Sequence, residues 1–333
     1  MKLSICIVGC DRDTKTLASE IYDLKEYFLI YFADADVTKA KNYCDTYGGQ
    51  DYFHDYISAI KDSRIDALYV TNPEKFTIEN IRLAVRNLKH MLVSRSIFRD
   101  KTKFRELNEM SKTADVKIMI AESFRFLPTV DKCKQIIARG YIGSLRMVQI
   151  QVERFQEPTE PKKTQCEGEL LGYGLHCIDI LLNIVGFPKT LYAVRPPQII
   201  KTMESEDGIV MIFRFEGDVA GLINSSRASL FNQDKHWVSI SGSEGCITFD
   251  LNDDQLIVET RSTKRTVRVV PAGPKTGRGV RLMIQAFRAS ILKDDEPVMS
   301  CKESSKSLAV AMTAYASIES GKSLPVNLIT SEI

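Results

Sequence analysis

The residues whose spacing carries the clearest chemistry lie at the N-terminus. Gly9 follows an apolar run, Leu3 to Val8, and precedes a helix-like stretch, Leu17 to Tyr27. At such a strand–turn–helix junction, the spacing Gly-x-Gly-x-x-Gly lets backbone N–H groups and a helix N-terminus cradle the pyrophosphate of a dinucleotide. Here Gly9 holds the first glycine position, Asp11 the second and Thr14 the third. The second glycine normally allows close backbone approach to phosphate, and a carboxylate there brings like charge to the same place. Arg12 and Lys15 either contact phosphate with their side chains, partly offsetting Asp11 and Asp13, or are solvated loop charges. Asp34 ends the second apolar run, about 20 positions beyond the loop, where an acidic residue holds a ribose hydroxyl. The alternative is that Asp34 or Asp36 caps the helix that starts near Val37. Thr71, Asn72 and Pro73 follow the third apolar run and are expected at a strand's carboxyl end, bordering a cofactor cleft, although Pro73 also reads as a plain turn residue.

The elements that must position these residues alternate. Apolar strands read at Leu3–Val8, Phe28–Ala33, Ala67–Thr71, His90–Val93 and Lys117–Ala121, with helix patterns at Thr16–Tyr27, Val37–Tyr47, Ile78–Asn87 and Lys101–Thr113. Strand–helix alternation with short connections predicts an α/β, doubly wound parallel sheet over residues 1–121. From 122 to 333 the pattern changes to α+β. A helix at Val130–Ala138 and a strand at Arg146–Phe155 lead into a polar loop, Gln156 to Glu169, and a helix-like Leu170–Val185. Strands follow at Thr190–Val194, Gly208–Phe215, Val219–Ser226, Trp237–Ser241, Cys246–Asp250, Gln255–Glu259 and Thr266–Val270, and helices at Gly279–Leu292 and Ser304–Ser320. Tight turns between consecutive strands predict a large open, mostly antiparallel sheet.

Composition bounds the rest. With 333 residues, two domains are the natural expectation, and 44% hydrophobic with 26% charged residues is ordinary globular usage. A net charge of +2 offers no bulk attraction to nucleic acid. No apolar run approaches a membrane span. The eight cysteines form no CxxC pair, so no zinc or redox motif is expected, and several sit in apolar runs as small buried hydrophobes. With a chain that opens directly on a strand, a cytoplasmic setting is expected.

Phe124-Arg125-Phe126-Leu127-Pro128, Gly140-Tyr141-Ile142-Gly143 and Ile240-Ser241-Gly242-Ser243-Glu244-Gly245 stand in an order and spacing that resemble the glucose–fructose oxidoreductase / inositol dehydrogenase / MocA (Gfo/Idh/MocA) family. Asp34-Ala35-Asp36 with Ala40-Lys41 and Tyr47-Gly48, and Asp207-Gly208 through Phe215-Glu216-Gly217, extend the likeness over essentially the whole chain. The resemblance implies a nicotinamide cofactor, NAD rather than NADP if Asp34 meets the ribose. It also implies a sugar-like substrate and a homo-oligomer built through the second-domain sheet; charge, apolar-run length and cysteine spacing leave no nucleic-acid, membrane or metal partner to expect. One sheet face is expected on the helices Leu170–Val185 and Gly279–Leu292. The other should carry Met147, Ile209, Met211 and Phe213 or their neighbours.

The resemblance also locates the chemistry. Where members carry Glu-Lys-Pro, this chain has Ser94, Arg95 and Ser96; where they carry Asp-x-Gly-x-His, it has Gly172-Tyr173-Gly174-Leu175-His176. A lysine can move a proton because surroundings lower its pKa, whereas Arg95 stays charged and can only clamp an anion. His176 remains an acid/base candidate, or else a hydrogen-bonded helix-start residue. Tyr173 and Glu169 are nearby substitutes, with Glu169 read as a surface residue. Four departures, at Asp11, Thr14, Arg95 and Gly172, coincide with functional positions. They leave two readings. One is a homologue with impaired or lost hydride transfer that keeps a ligand-binding or partner-subunit role. The other is an active oxidoreductase on a sugar, polyol or acidic sugar that uses His176.

Overall fold

The computed structural model describes residues 2–11, 14–156, 168–230, 233–269 and 279–328. Arg12 and most of the polar stretch before Glu169 lie outside the described residues. The chain forms two compact units. The first runs to Ser123 and takes back a later segment ending at Ser304; the second begins at Phe124 and resumes at Ser305.

In the first unit, β1 (Leu3–Val8), β2 (Phe28–Ala33), β3 (Asp51–Phe53), β4 (Ala67–Val70), β5 (His90–Ser94) and β6 (Ile118–Ala121) make a parallel sheet in the order β3-β2-β1-β4-β5-β6. β1 lies inside the sheet and every one of its residues is buried, which is why it reads as an unbroken apolar run rather than an alternating one. Between the strands run α1 (Lys15–Asp23), α2 (Val37–Thr46), α3 (Tyr56–Lys61), α4 (Ile78–Arg86) and α5 (Lys101–Thr113). Side-chain caps start α2 to α5: Asp36 accepts from Thr38 N, Asp55 from Ser58 N, Thr77 from Asn80 N and Asp100 from Lys103 N. The strand order reverses between β1 and β4, so their carboxyl ends, at Gly9 and Thr71, meet at the switch point where such sheets take ligands.

The second unit holds α6 (Pro128–Ala138), β7 (Leu145–Glu153), a one-turn π-helix at Leu170–Gly174, α7 (Leu175–Val185), β8 (Thr190–Val194), β9 (Gly208–Arg214), β10 (Ala220–Ser226), β11 (Lys235–Gly242), β12 (Gly245–Asp250), β13 (Gln255–Thr260) and β14 (Lys264–Arg268). Helices α8 (Val280–Lys293) and α9 (Cys301–Ser320) and the short β15 (Leu324–Pro325) complete the chain. The nine-stranded sheet runs β14-β13-β12-β11-β7-β10-β9-β8-β15 and is antiparallel except where β7 and β10 pair in parallel.

Two expectations about this sheet change. Helix α8 belongs to the first unit, where Arg281 donates to Glu20 at 2.8 Å and Asp23 at 2.9 Å on α1. The helices on the nine-stranded sheet are α7 on β7 and β10, α6 on β13, and α9, whose Ser317 Oγ accepts from Ala193 N. Ile209, Met211 and Phe213 are buried, so their β9 neighbours Val210 and Ile212 point the other way. The register aligns Ser239, Gln149, Leu222, Ile212 and Tyr192 in one row across the open face. Trp237, Gln151, Asn224, Val210 and Val194 form the next.

At Gly242 the register of β11 against β7 shifts, and a Cβ there would overlap the Ile142 carbonyl. We expect Gly242→Ala to destabilise the protein by about 3 kcal/mol in urea denaturation, as overpacking against backbone does. Gly140→Ala meets open space and should cost only the left-handed backbone penalty, about 1 kcal/mol.

Candidate functional site

Among the described residues, each unit gathers a cluster of polar and charged side chains. In the first, Gly9 has φ +100, a conformation that favours glycine, and it lies so close to Thr71 that a Cβ would sit 2.6 Å from Oγ1. Thr71 Oγ1 in turn donates to Val8 O at 2.9 Å and Gly9 O at 2.8 Å, locking the ends of β1 and β4 together. Thr14, in the third glycine position, donates its hydroxyl to Gly9 O at 3.1 Å and closes the loop on itself. Pro73 contributes a carbonyl, which accepts from Lys103 Nζ at 3.0 Å.

Asp34 is 4% exposed. Its Oδ2 accepts from Cys10 N at 2.7 Å and its Oδ1 from Asp36 N at 2.9 Å. It ties the glycine loop to the end of β2, while Asp36 is the residue that caps α2. Burial, reinforced by the Asp34 and Asp11 carboxylates, pushes the Cys10 thiol up to about 12, so it is no nucleophile.

The Asp11 carboxylate collects three donors, one from α2 and two from the segment after β4. Oδ1 lies 3.3 Å from Lys39 Nζ, and Oδ2 lies 3.5 Å from both Lys75 Nζ and Asn72 Nδ2. Burial would raise this carboxyl, but Lys75, Asn72 and Lys39 together outweigh it and hold the pKa below its ordinary value. The Asp11 carbonyl accepts from Tyr43 OH at 2.6 Å and Thr14 N at 2.9 Å. Arg95 follows the Ser94 cap of a short 3-10 turn, with Nε 3.9 Å from Oε2 of the buried Glu122.

The cluster of the second unit centres on Glu169. The surface position expected for it is wrong: Glu169 is 0% exposed. Arg154 grips it with both terminal nitrogens, at 2.8 and 3.0 Å, and Arg227 Nε stands 3.4 Å from Oε2. Ser225 donates its hydroxyl to Oε1. A buried carboxylate requires such partners, because burial of an unpaired charge costs several kcal/mol. The Arg154 guanidinium also lies over the Tyr173 ring, 4.5 Å from its centroid.

The π-helical turn after Glu169 sets the remaining members. It carries Tyr173, and α7 then carries His176 in its first turn. The His176 imidazole stacks on Phe124 at 4.3 Å, and Tyr173 packs edge-on against both rings. His236, which no sequence motif marks, reaches the same tyrosine from β11 at 5.5 Å. Its Nδ1 lies 2.8 Å from Asn252 Nδ2. Burial, with Cys177 adding to it, pushes the Tyr173 phenol well above its ordinary value, so it stays protonated near neutral pH. A Cβ on Gly172 would come no nearer to any neighbour than 4.0 Å from Arg227 Nη2, so a carboxylate at that position would meet a guanidinium. Within the same unit Arg125 pairs bidentately with Asp179 of α7 at 2.9 and 2.8 Å.

Of the candidate residues, the structure thus brings Gly9, Thr71, Asn72, Pro73 and Asp34 together in one unit and His176 with Tyr173 in the other. Lys39, Lys75, Arg154, Arg227, Ser225 and His236 join these clusters although no motif in the sequence marks them. The described residues contain no group of three or more His, Cys, Asp or Glu able to hold a metal.

Two measurements test this geometry. Glu169→Gln leaves Arg154 and Arg227 facing a neutral group and should cost about 3–5 kcal/mol of stability by urea denaturation. Burial, helped by Arg154 and opposed by Asp250 and Asp234, holds the folded His236 below its ordinary 6.5. The unfolded chain therefore binds this proton first, and stability falls as pH drops below about 6.5. His90, also lowered by burial, acts in the same direction. His236→Asn should flatten the part of that slope that belongs to His236 in melts between about pH 7 and 5.

Comparison with known proteins agrees with this architecture. Residues 134–328 match the oxidoreductase family, C-terminal alpha/beta domain, of the Gfo/Idh/MocA group. Trans-1,2-dihydrobenzene-1,2-diol dehydrogenase of Xenopus laevis is 23% identical over 316 residues, 91% of this chain and 93% of its own. Myo-inositol 2-dehydrogenase of Thermotoga maritima is 20% identical over 340 residues, 97% of this chain and 98% of its own. Among solved structures, an Agrobacterium radiobacter oxidoreductase in complex with NAD+, L-tartaric acid and magnesium superposes with a TM-score of 0.87 at 17% identity, covering 98% of this chain and 99% of that one. A levoglucosan dehydrogenase bound to NADH and levoglucosan gives 0.87 at 18% identity, covering 98% and 100%. With a switch-point glycine loop in one unit, an open nine-stranded sheet in the other and a family match over more than half its length, this chain belongs to the Gfo/Idh/MocA oxidoreductase family.

Proposed function

We propose that the protein is a Gfo/Idh/MocA homologue whose standard nicotinamide hydride transfer is impaired or lost, and that it keeps a binding or partner-subunit role toward a sugar-like ligand. The observation that carries this reading is Arg95. It stands in the lysine position as a guanidinium beside the buried Glu122, and a guanidinium does not exchange protons at working pH. The aspartate position is Gly172, facing Arg227. The loop residues also fit a pyrophosphate poorly, because the Asp11 carboxylate already engages the local cations. If a nicotinamide nucleotide binds, NAD suits the loop better than NADP, since the buried Asp34 carboxylate repels a 2′-phosphate. The polyhydroxylated ligand class is taken from the relatives' inositol, levoglucosan and tartaric acid.

None of the described cysteines forms a disulfide, in keeping with a reducing, cytoplasmic setting. No described helix is long and apolar enough to cross a membrane.

A second reading, an active oxidoreductase on a sugar, polyol or acidic sugar, is favoured by one feature: the stacked Phe124–His176 pair and its tyrosine are intact. Turnover of myo-inositol, levoglucosan and glucuronate with NAD+ and NADP+ separates the two. The wild type should show none, and Arg95→Lys combined with Gly172→Asp should raise the rate at least about tenfold over background. A wild-type kcat near about 1 s⁻¹, abolished by His176→Ala, would establish the second reading instead.

We also propose a homo-oligomer formed through the open sheet face, whose Ile212 is 51% and Trp237 41% exposed beside Val210, Leu222 and Tyr192. Light scattering at micromolar concentration should report more than one copy, and Ile212→Asp should shift the protein toward monomer.

A further inference from the structure

His90 opens β5 and lies opposite Ala67 of β4. Its Nδ1 stands 2.9 Å from Lys117 N and accepts that backbone proton. A peptide N–H can only donate, so Nδ1 is the bare nitrogen, and the neutral ring carries its own proton on Nε2. Lys117 continues the link. Its carbonyl accepts from Met91 N at 2.8 Å, and its Nζ reaches the end of α8, 2.6 Å from Asp294 Oδ1 and 3.1 Å from Asp294 O. Asp294 ends α8 with φ 59, a left-handed conformation, and its carbonyl is among those that a helix end leaves open. Through its N–H, its carbonyl and its ammonium, Lys117 therefore ties the start of β6 to β5 and to α8, all within the first unit.

An imidazolium carries N–H on both nitrogens, so a proton added at Nδ1 meets the Lys117 N–H, donor against donor. The surrounding charges then act on a cation: Asp66 before β4, Asp115 before β6 and Asp294 after α8 attract it, and Lys117 repels it. Burial holds the ring below its ordinary value while the contact is closed, so the proton enters more readily once the contact is open.

We propose that His90, Lys117 and Asp294 form an acid-operated latch: a proton taken up at His90 Nδ1 releases Lys117 from β5 and frees the C-terminal end of α8, while the rest of the unit stays folded. The imidazolium competes with Lys117 for Asp294. Arg281 holds the opposite end of α8 to Glu20 and Asp23 of α1, so the opening is confined to one end of the helix.

Hydrogen exchange of the full-length protein, read by mass spectrometry at about pH 7.5 and about pH 5.5 with times scaled to intrinsic exchange, tests the latch. The released imidazole titrates at about 6.5, so protection of residues 115–118 and 292–296 should fall about tenfold between the two, and by no less than about threefold. At the lower pH these segments should exchange at least about tenfold faster than Leu3–Val8, the mark of local opening. His90→Asn places an amide oxygen where Nδ1 stands and takes up no proton, so its protection should not change with pH. His90→Gln, which offers its own amide oxygen, is the second variant and should behave alike; melting curves verify that each is folded. A wild-type fall of less than about threefold, an equal fall in either folded variant, or exchange of these segments at the rate of Leu3–Val8 overturns the proposal.

Discussion

A carboxylate with no access to water governs the second unit. Glu169 must be surrounded by donors, and the fold supplies them from three directions: Arg154 just beyond β7, Ser225 at the end of β10 and Arg227 just past it. These residues are distant in sequence and adjacent only because β7 and β10 pair in parallel, with Ser225 opposite Val152. The ion cluster therefore depends on the sheet register, and the register fixes the course of the chain beyond Glu169. The π-helical turn projects Tyr173 under Arg154, and the ring in turn borders His176 and His236. The result is a largely dry ion cluster beside two imidazoles and a phenol.

The first unit holds one carboxylate of each kind, buried Asp34 and the partly exposed Asp11. Asp34 is committed to two backbone N–H groups and acts as a fastener between loop and sheet. Asp11 has side-chain partners only for its carboxylate, and those partners can be exchanged. Two aspartates of one nucleotide-type fold thus have opposite mechanical characters, which follow from burial alone.

Much of the architecture was legible in the sequence because its signals are periodic. The runs Leu3–Val8 and Phe28–Ala33 are strands of a parallel sheet, and the alternation in Gly208–Phe215 is a strand with one covered face. Alternation alone leaves the choice of face open, and Ile209, Met211 and Phe213 turned inward where their neighbours turned out. The short β3 and α3 escaped notice because three- and six-residue elements carry too little pattern. Glu169 was misread for a different reason. Its sequence neighbourhood is polar, and its partners come from residues whose proximity is a property of the folded sheet. Lys39, Lys75, Arg227 and His236 were missed on the same ground, since a side-chain cluster drawn from separate elements has no spacing to read. The family motifs single out His176 and Tyr173 but carry no sign of Arg154, which lies over the Tyr173 ring.

The ends of the nine-stranded sheet carry their own message. One border is β14, Lys-Arg-Thr-Val-Arg, and the other is the two-residue β15 with Pro325. Repelling cations line the first border, and a missing N–H interrupts the second, so neither invites another strand to extend the hydrogen-bond ladder. The sheet is wide and partly apolar on its open face, yet neither of these borders offers a template for fibrous growth.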